Sequence, residues 1–93
     1  MRKQIGQISV DSGLVMIGDP CYVIHTDKPK EQLGKNWKEF CKIIGDKDVT
    51  NFSHRQQDGE MATVLYTPWG DGVYPIYATY SKNGRIKKVE IVF

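Results

Sequence analysis

Apolar residues recur along the chain at two spacings, one of two residues and one of three to four, and each spacing predicts its own kind of element. Residues 4–10, QIGQISV, place Ile8 and Val10 at strand spacing, and Asp11-Ser12-Gly13 supplies turn residues before the apolar run Leu14 to Ile17. Together they predict an N-terminal β-hairpin. The second strand is apolar on both faces, which predicts a central or doubly covered position. Asp19-Pro20-Cys21-Tyr22 then interrupts the run, and apolar residues resume to Ile24. After a polar stretch, Trp37, Phe40, Cys41 and Ile44 fall at i, i+3, i+4 and i+7, the pattern of an amphipathic helix with that stripe in the core. Leu33 extends the stripe back one turn, Lys38, Glu39 and Lys42 lie opposite, and Gly45 suits the C-terminal end.

The second half reads as strands again. Residues 49–53 and 60–66 are β-prone on either side of a turn at 56–59, predicting a second hairpin, and residues 67–72, TPWGDG, break the pattern and leave Trp69 on a loop. Asn83-Gly84 is the preferred dipeptide of a two-residue type I′ turn. Placing Lys82 opposite Arg85 then sets Tyr80 against Lys87, Ala78 against Val89, Ile76 against Ile91 and Tyr74 against Phe93 on one apolar face. The reverse face carries Pro75, Tyr77, Thr79 and Ser81 against Ile86, Lys88, Glu90 and Val92, and Pro75 favours an edge or strand end. Six strands and one helix predict an α+β fold, an antiparallel sheet or partly closed barrel of about six strands with the helix packed on it.

Composition narrows the class of partner. Ninety-three residues, 40% of them hydrophobic and 26% charged, predict a single domain over residues 1–93. A formal charge of +2 is far from the excess that coats a duplex-binding surface, so long nucleic acid is not expected, while small anions remain within reach of a local cation cluster. No apolar run reaches a membrane span and the first residues lack a signal peptide's apolar stretch, so no membrane partner and a cytoplasmic location are expected. The two cysteines, Cys21 and Cys41, read as reduced thiols, with Cys41 in the core.

The residues that carry chemistry form no convincing catalytic set. Cys21, His25, Cys41 and His54 have donor atoms for zinc, but their spacing matches no compact ligand pair. Cys21 as a nucleophile would need His25 or His54 with Asp19, and no nucleophile signature surrounds it. Gly70-Asp71-Gly72 is followed by a strand and not by a helix, so no phosphate-binding loop of the nucleotide enzymes is present. No cofactor is therefore expected, and the reading favours recognition without catalysis. Trp69, Tyr22, Tyr66, Tyr77 and Tyr80 supply aromatic planes, and Arg55, Arg85, Lys87 and Lys88 supply cations. Such a combination suits a nucleobase with a phosphate. The candidate ligand-binding residues are Asp19, Tyr22, Arg55, Trp69, Gly70, Asp71, Tyr77 and Lys88.

The start SGLVMIGDPCY and the end GDGVYPIYATYSKNGRIKKVEIVF, through Ser12, Gly13, Asp19, Pro20, Gly72, Tyr74, Pro75 and Phe93, resemble a group of small uncharacterised bacterial and phage proteins. That resemblance implies a β-rich domain and says little about activity. Asp19 then reads as the cap of a bend, accepting from backbone amides while Pro20 ends the ladder. In size and style the chain is also similar to small phage proteins that inhibit bacterial immunity, some by sequestering cyclic nucleotides. The expected function is a non-enzymatic ligand-binding protein, of the kind of a phage sponge for a cyclic nucleotide immune signal, in the host cytoplasm and with room for a homo-oligomer. The alternative is a protein-interaction or inhibitor domain acting through an exposed sheet edge.

Overall fold

A computed structural model describes residues 1–24, 33–53 and 60–93, without the side chains of Tyr22, Ile24 and Glu60. The strands are β1 (Arg2–Val10), β2 (Leu14–Gly18), β3 (Val49–Ser53), β4 (Glu60–Tyr66), β5 (Gly72–Tyr80) and β6 (Ile86–Ile91). Two helices are described, α1 (Pro20–Ile24) and α2 (Trp37–Ile44). The α+β class and the predominance of β structure stand, but the strands do not join in one six-stranded sheet or barrel. They form two three-stranded sheets, β1-β5-β6 and β2-β4-β3, and neither closes. The chain divides into two compact units, Met1–Leu14 with Thr67–Phe93, and Val15–Tyr66.

The first unit is built on β5. β1 runs antiparallel to it from Arg2 opposite Thr79 to Val10 opposite Gly72, with a register shift between Gln4 and Gly6. The predicted N-terminal hairpin is therefore overturned, because β1 spends its ladder on a strand more than sixty residues away in sequence and β2 pairs with β4. Residues 11–13 link two sheets instead of closing a hairpin; Ser12 Oγ accepts from Leu14 N at 3.3 Å, and the Gly13 carbonyl accepts from Thr67 N at 2.8 Å.

The β5–β6 hairpin forms as expected, with Ile76 opposite Ile91 and Ala78 opposite Val89, but Tyr80 faces Ile86 and not Lys87. The turn explains the difference. Gly84 N donates to Ser81 O at 3.0 Å, Ser81 N to Arg85 O at 2.8 Å, and Gly84 alone has positive φ (82°). A type I′ turn needs positive φ at both central residues, whereas this three-residue loop puts the left-handed position on the glycine only. The register shift between Thr79 and Tyr80 then restores the pairing below it. On the predicted core face the β5 half is closed, with Tyr74 and Ala78 buried, while Val89 on β6 is 57% exposed.

Pro75 lies on the central strand, not at an edge. Its carbonyl accepts from Val92 N, so its missing N–H faces β6 beyond that strand's last residue, Ile91, and no ladder bond to β1 is lost.

In the second unit β3 and β4 form the expected hairpin, Thr50 opposite Val64 and Phe52 opposite Ala62. β2 is an edge of this sheet, not a central strand; only Val15 is buried, and Met16 and Ile17 are exposed. Gly18 lies tight on β4, where an added Cβ would come within 2.8 Å of Ala62 Cβ. The strand does not resume at Tyr22–Ile24, because Asp19-Pro20 starts a helix: Asp19 Oδ1 accepts from Cys21 N at 2.9 Å and Asp19 O from Val23 N at 3.1 Å. Proline fits that first helical position, where the N–H would have no partner.

α2 starts at Trp37, without the extra turn back to Leu33 that the stripe predicts, because Asn36 caps it; Gly45 ends it as expected. Asn36 Oδ1 accepts from Glu39 N at 2.9 Å, Glu39 reaches back to Lys35 N, and Gly45 ends the helix with φ 58°. Tyr66 Oη donates to the Gly45 carbonyl at 2.7 Å, tying the helix end to β4. Its apolar stripe is less buried than predicted. Ile44 and the facing Phe52 are core, but Trp37 is 59% exposed and Cys41 is exposed as well. The rings step outward, Phe40 stacked on Phe52 at 6.0 Å and Trp37 on Phe40 at 5.5 Å, so the stripe leaves the core towards its N-terminal end.

Candidate functional site

Thr67, Pro68, Trp69 and Gly70 form a turn closed by Gly70 N donating to Thr67 O at 3.4 Å. Proline's fixed φ suits the second place, and Trp69, in the third, has negative φ like every non-glycine residue described, which rules out a type II turn. The left-handed position falls on Gly70, φ 72°. Beneath the turn two hydroxyls converge on one carbonyl: Tyr74 Oη donates to Gly70 O at 2.6 Å, and Thr67 Oγ1 donates to the same oxygen. Both donor residues are buried, each 6% exposed, and together they fill the carbonyl's two lone pairs at the part-buried underside of the turn. Phe93 packs edge-on against the Tyr74 ring at 5.3 Å, and Thr67 N is bound to Gly13 O.

This underpinning holds out Trp69, which is 74% exposed, with the exposed Asp71 two residues on. The expected loop position of Trp69, Gly70 and Asp71 is what the structure has. Of the residues quoted for the resemblance, Gly13, Gly72, Tyr74 and Phe93 all lie beneath or beside this turn.

A second cluster occupies the outer face of the same sheet. Arg2, on β1, lays its guanidinium 3.8 Å from the centre of the Tyr77 ring and donates through Nε to Glu90 Oε1 at 3.0 Å. Lys88 Nζ is 3.6 Å from the same oxygen. The Arg2 hydrogen bond, helped by the charges of Lys88 and Arg2 against some loss of water, holds the Glu90 carboxyl below its ordinary value. Tyr77 and Lys88 are thus brought together, with Arg2 and Glu90 as neighbours that sequence reasoning did not name as site residues. Glu90 could have been found by setting the hairpin register against Tyr77; Arg2 could not, since it arrives on a strand whose partner is remote in sequence.

Within the first unit the described candidates fall into two groups, Trp69, Gly70 and Asp71 on the loop and Tyr77 with Lys88 on the sheet. From Gly72, where the Trp69 loop joins β5, to Tyr77 is about 17 Å of strand, so the Tyr77–Lys88 cluster stands away from the loop. Asp19 is the cap of α1 in the other unit. Tyr22 belongs to α1 by its backbone, its side chain being outside the description, and Arg55, with His25 and His54, falls outside the described residues. Among the described residues no three His, Cys, Asp or Glu side chains cluster, and no helix is long and apolar enough to cross a membrane.

Fold and site together define a small α+β protein with two three-stranded sheets and an exposed tryptophan on an internally braced loop. Residues 4–91 match a protein family described as "Protein of unknown function (DUF4241)", and the chain belongs to that family. No curated protein and no solved structure matches it.

Proposed function

We propose that the protein binds a small nucleotide without turning it over, stacking the base on the Trp69 indole, as a phage-type sponge would hold a cyclic nucleotide signal in the host cytoplasm. One observation carries the reading: an indole 74% exposed to water on a turn whose underside is fixed by two buried hydroxyls. A rigid exposed aromatic plane loses little entropy when a flat ligand settles on it. The Asp71 carboxylate can accept from the amino edge of a base and repels phosphate, so the base is the part recognised. Of the expected phosphate partners, Lys88 is paired with Glu90 at the other end of β5. The phage element of the proposal rests on the motif resemblance, and the immune-signal element on likeness in size and style.

A panel of cyclic and linear nucleotides with their matching nucleosides, read by thermal shift, tests the reading. A ligand of the folded state raises the melting temperature by mass action, and recognition through the base makes nucleoside and nucleotide alike in effect. No shift with any member, or conversion of a ligand to product, would refute it.

A further inference from the structure

We propose that β2 is a self-pairing edge through which two copies of this chain join antiparallel, making the continuous sheet β3-β4-β2-β2-β4-β3. Four edges are free in the two sheets as described: β1 and β6 in one, β2 and β3 in the other. Unpaired edges attract other strands, and charge, bulges and polar outward residues keep them apart. β1 opens with Arg2-Lys3 and has a register shift between Gln4 and Gly6, and β6 carries Lys87-Lys88. β3 has a register shift between Phe52 and Ser53, and its exposed face carries Asn51 and Ser53 beside Val49. β2, LVMIG, has no charge, no proline and no polar side chain.

The occupant that fits is a second β2. Val15 and Ile17 share a face of the strand, and while Val15 is 4% exposed, Ile17 is 55% exposed and leaves apolar surface uncovered among the described residues. A two-fold axis at Met16 sets Val15 of each copy against Ile17 of the other, Leu14 against Gly18, and Met16 against Met16. Each exposed Ile17 then meets a buried valine on its own face, and both rows of free N–H and C=O groups are satisfied. No like charges meet: in this register Asp19 falls opposite Gly13 and Asp11 opposite Cys21. The chain's formal charge of +2 puts little long-range repulsion in the way. The proposal is independent of ligand binding at Trp69.

Sedimentation velocity and light scattering across the micromolar to near-millimolar range test it. The wild type is expected to approach twice the 10.6 kDa chain mass as concentration rises. Ile17→Lys is expected to remain a monomer over that range. To separate loss of pairing from loss of fold, Met16→Cys and Asn51→Cys are compared in a background with Cys21→Ser and Cys41→Ser, using a short bifunctional maleimide. The Met16→Cys protein should crosslink into dimers and the Asn51→Cys protein should not. A wild type monomeric throughout, an Ile17→Lys dimer of undiminished strength, or crosslinking at position 51 in place of 16 would overturn the proposal.

Discussion

Tyr74 shows how one atom shapes the loop above it. Its hydroxyl is one of two donors to the Gly70 carbonyl, and its ring is held by Phe93. Tyr74→Phe keeps the ring and removes the donor, which should destabilise the protein by about 1 kcal/mol in a denaturant melt. It should also weaken ligand binding at Trp69, since the turn loses half its underpinning. Glu90 gives a residue-scale prediction in pH. Its folded-state value lies below the ordinary 4.5, so the stability it adds is present above that value and disappears as pH falls through the lowered one. Melts of wild type and Glu90→Gln should therefore differ slightly near neutrality, the variant lower, and converge in acid. A gap that widens in acid would contradict the role given to Arg2. The Trp69 loop was legible residue by residue, because proline and glycine announce a turn locally. Its bracing was not, since nothing in a linear pattern says that Thr67 and Tyr74 share an acceptor.

At the scale of elements, local chemistry was read well and remote pairing poorly. The stop at Gly45 and the β5–β6 ladder from Ala78 down are set within a few residues, whereas the cap at Asn36 went unread. The partner of β1 depends on which remote strand offers the better face, and an apolar run such as Leu14–Gly18 looks the same whether central or at an edge. Gly84→Val tests the turn. Nothing lies within 4 Å of an added Cβ, so the penalty is conformational, at least about 1–2 kcal/mol for a side chain at φ 82°. An unchanged melting temperature would mean the left-handed residue lies elsewhere. Trp37→Ala tests the helix stripe. A buried tryptophan would cost about 3–5 kcal/mol, but one 59% exposed and resting on Phe40 should cost only about 1–2 kcal/mol. A loss in the upper range would show that Trp37 is covered in solution.

For the molecule as a whole, the α+β class and the small size were legible because periodicity and composition report them directly. The division of six strands into two sheets was not, as it follows from the links at residues 11–13 and 67–71, which look like ordinary turns in sequence. The candidate site divides in the same way: Trp69, Gly70 and Asp71 stay together, while Tyr77 and Lys88 form a separate cluster with Arg2 and Glu90. The functional account therefore stands on the tryptophan, and calorimetric titration of cyclic and linear nucleotides into wild type and Trp69→Ala tests it most directly. The account predicts measurable binding to the wild type, a loss of about 1–3 kcal/mol in Trp69→Ala, and melting temperatures that match without ligand. Equal affinity in the two proteins, or a Trp69→Ala variant that unfolds without ligand, would contradict it and make the exposed indole a structural residue.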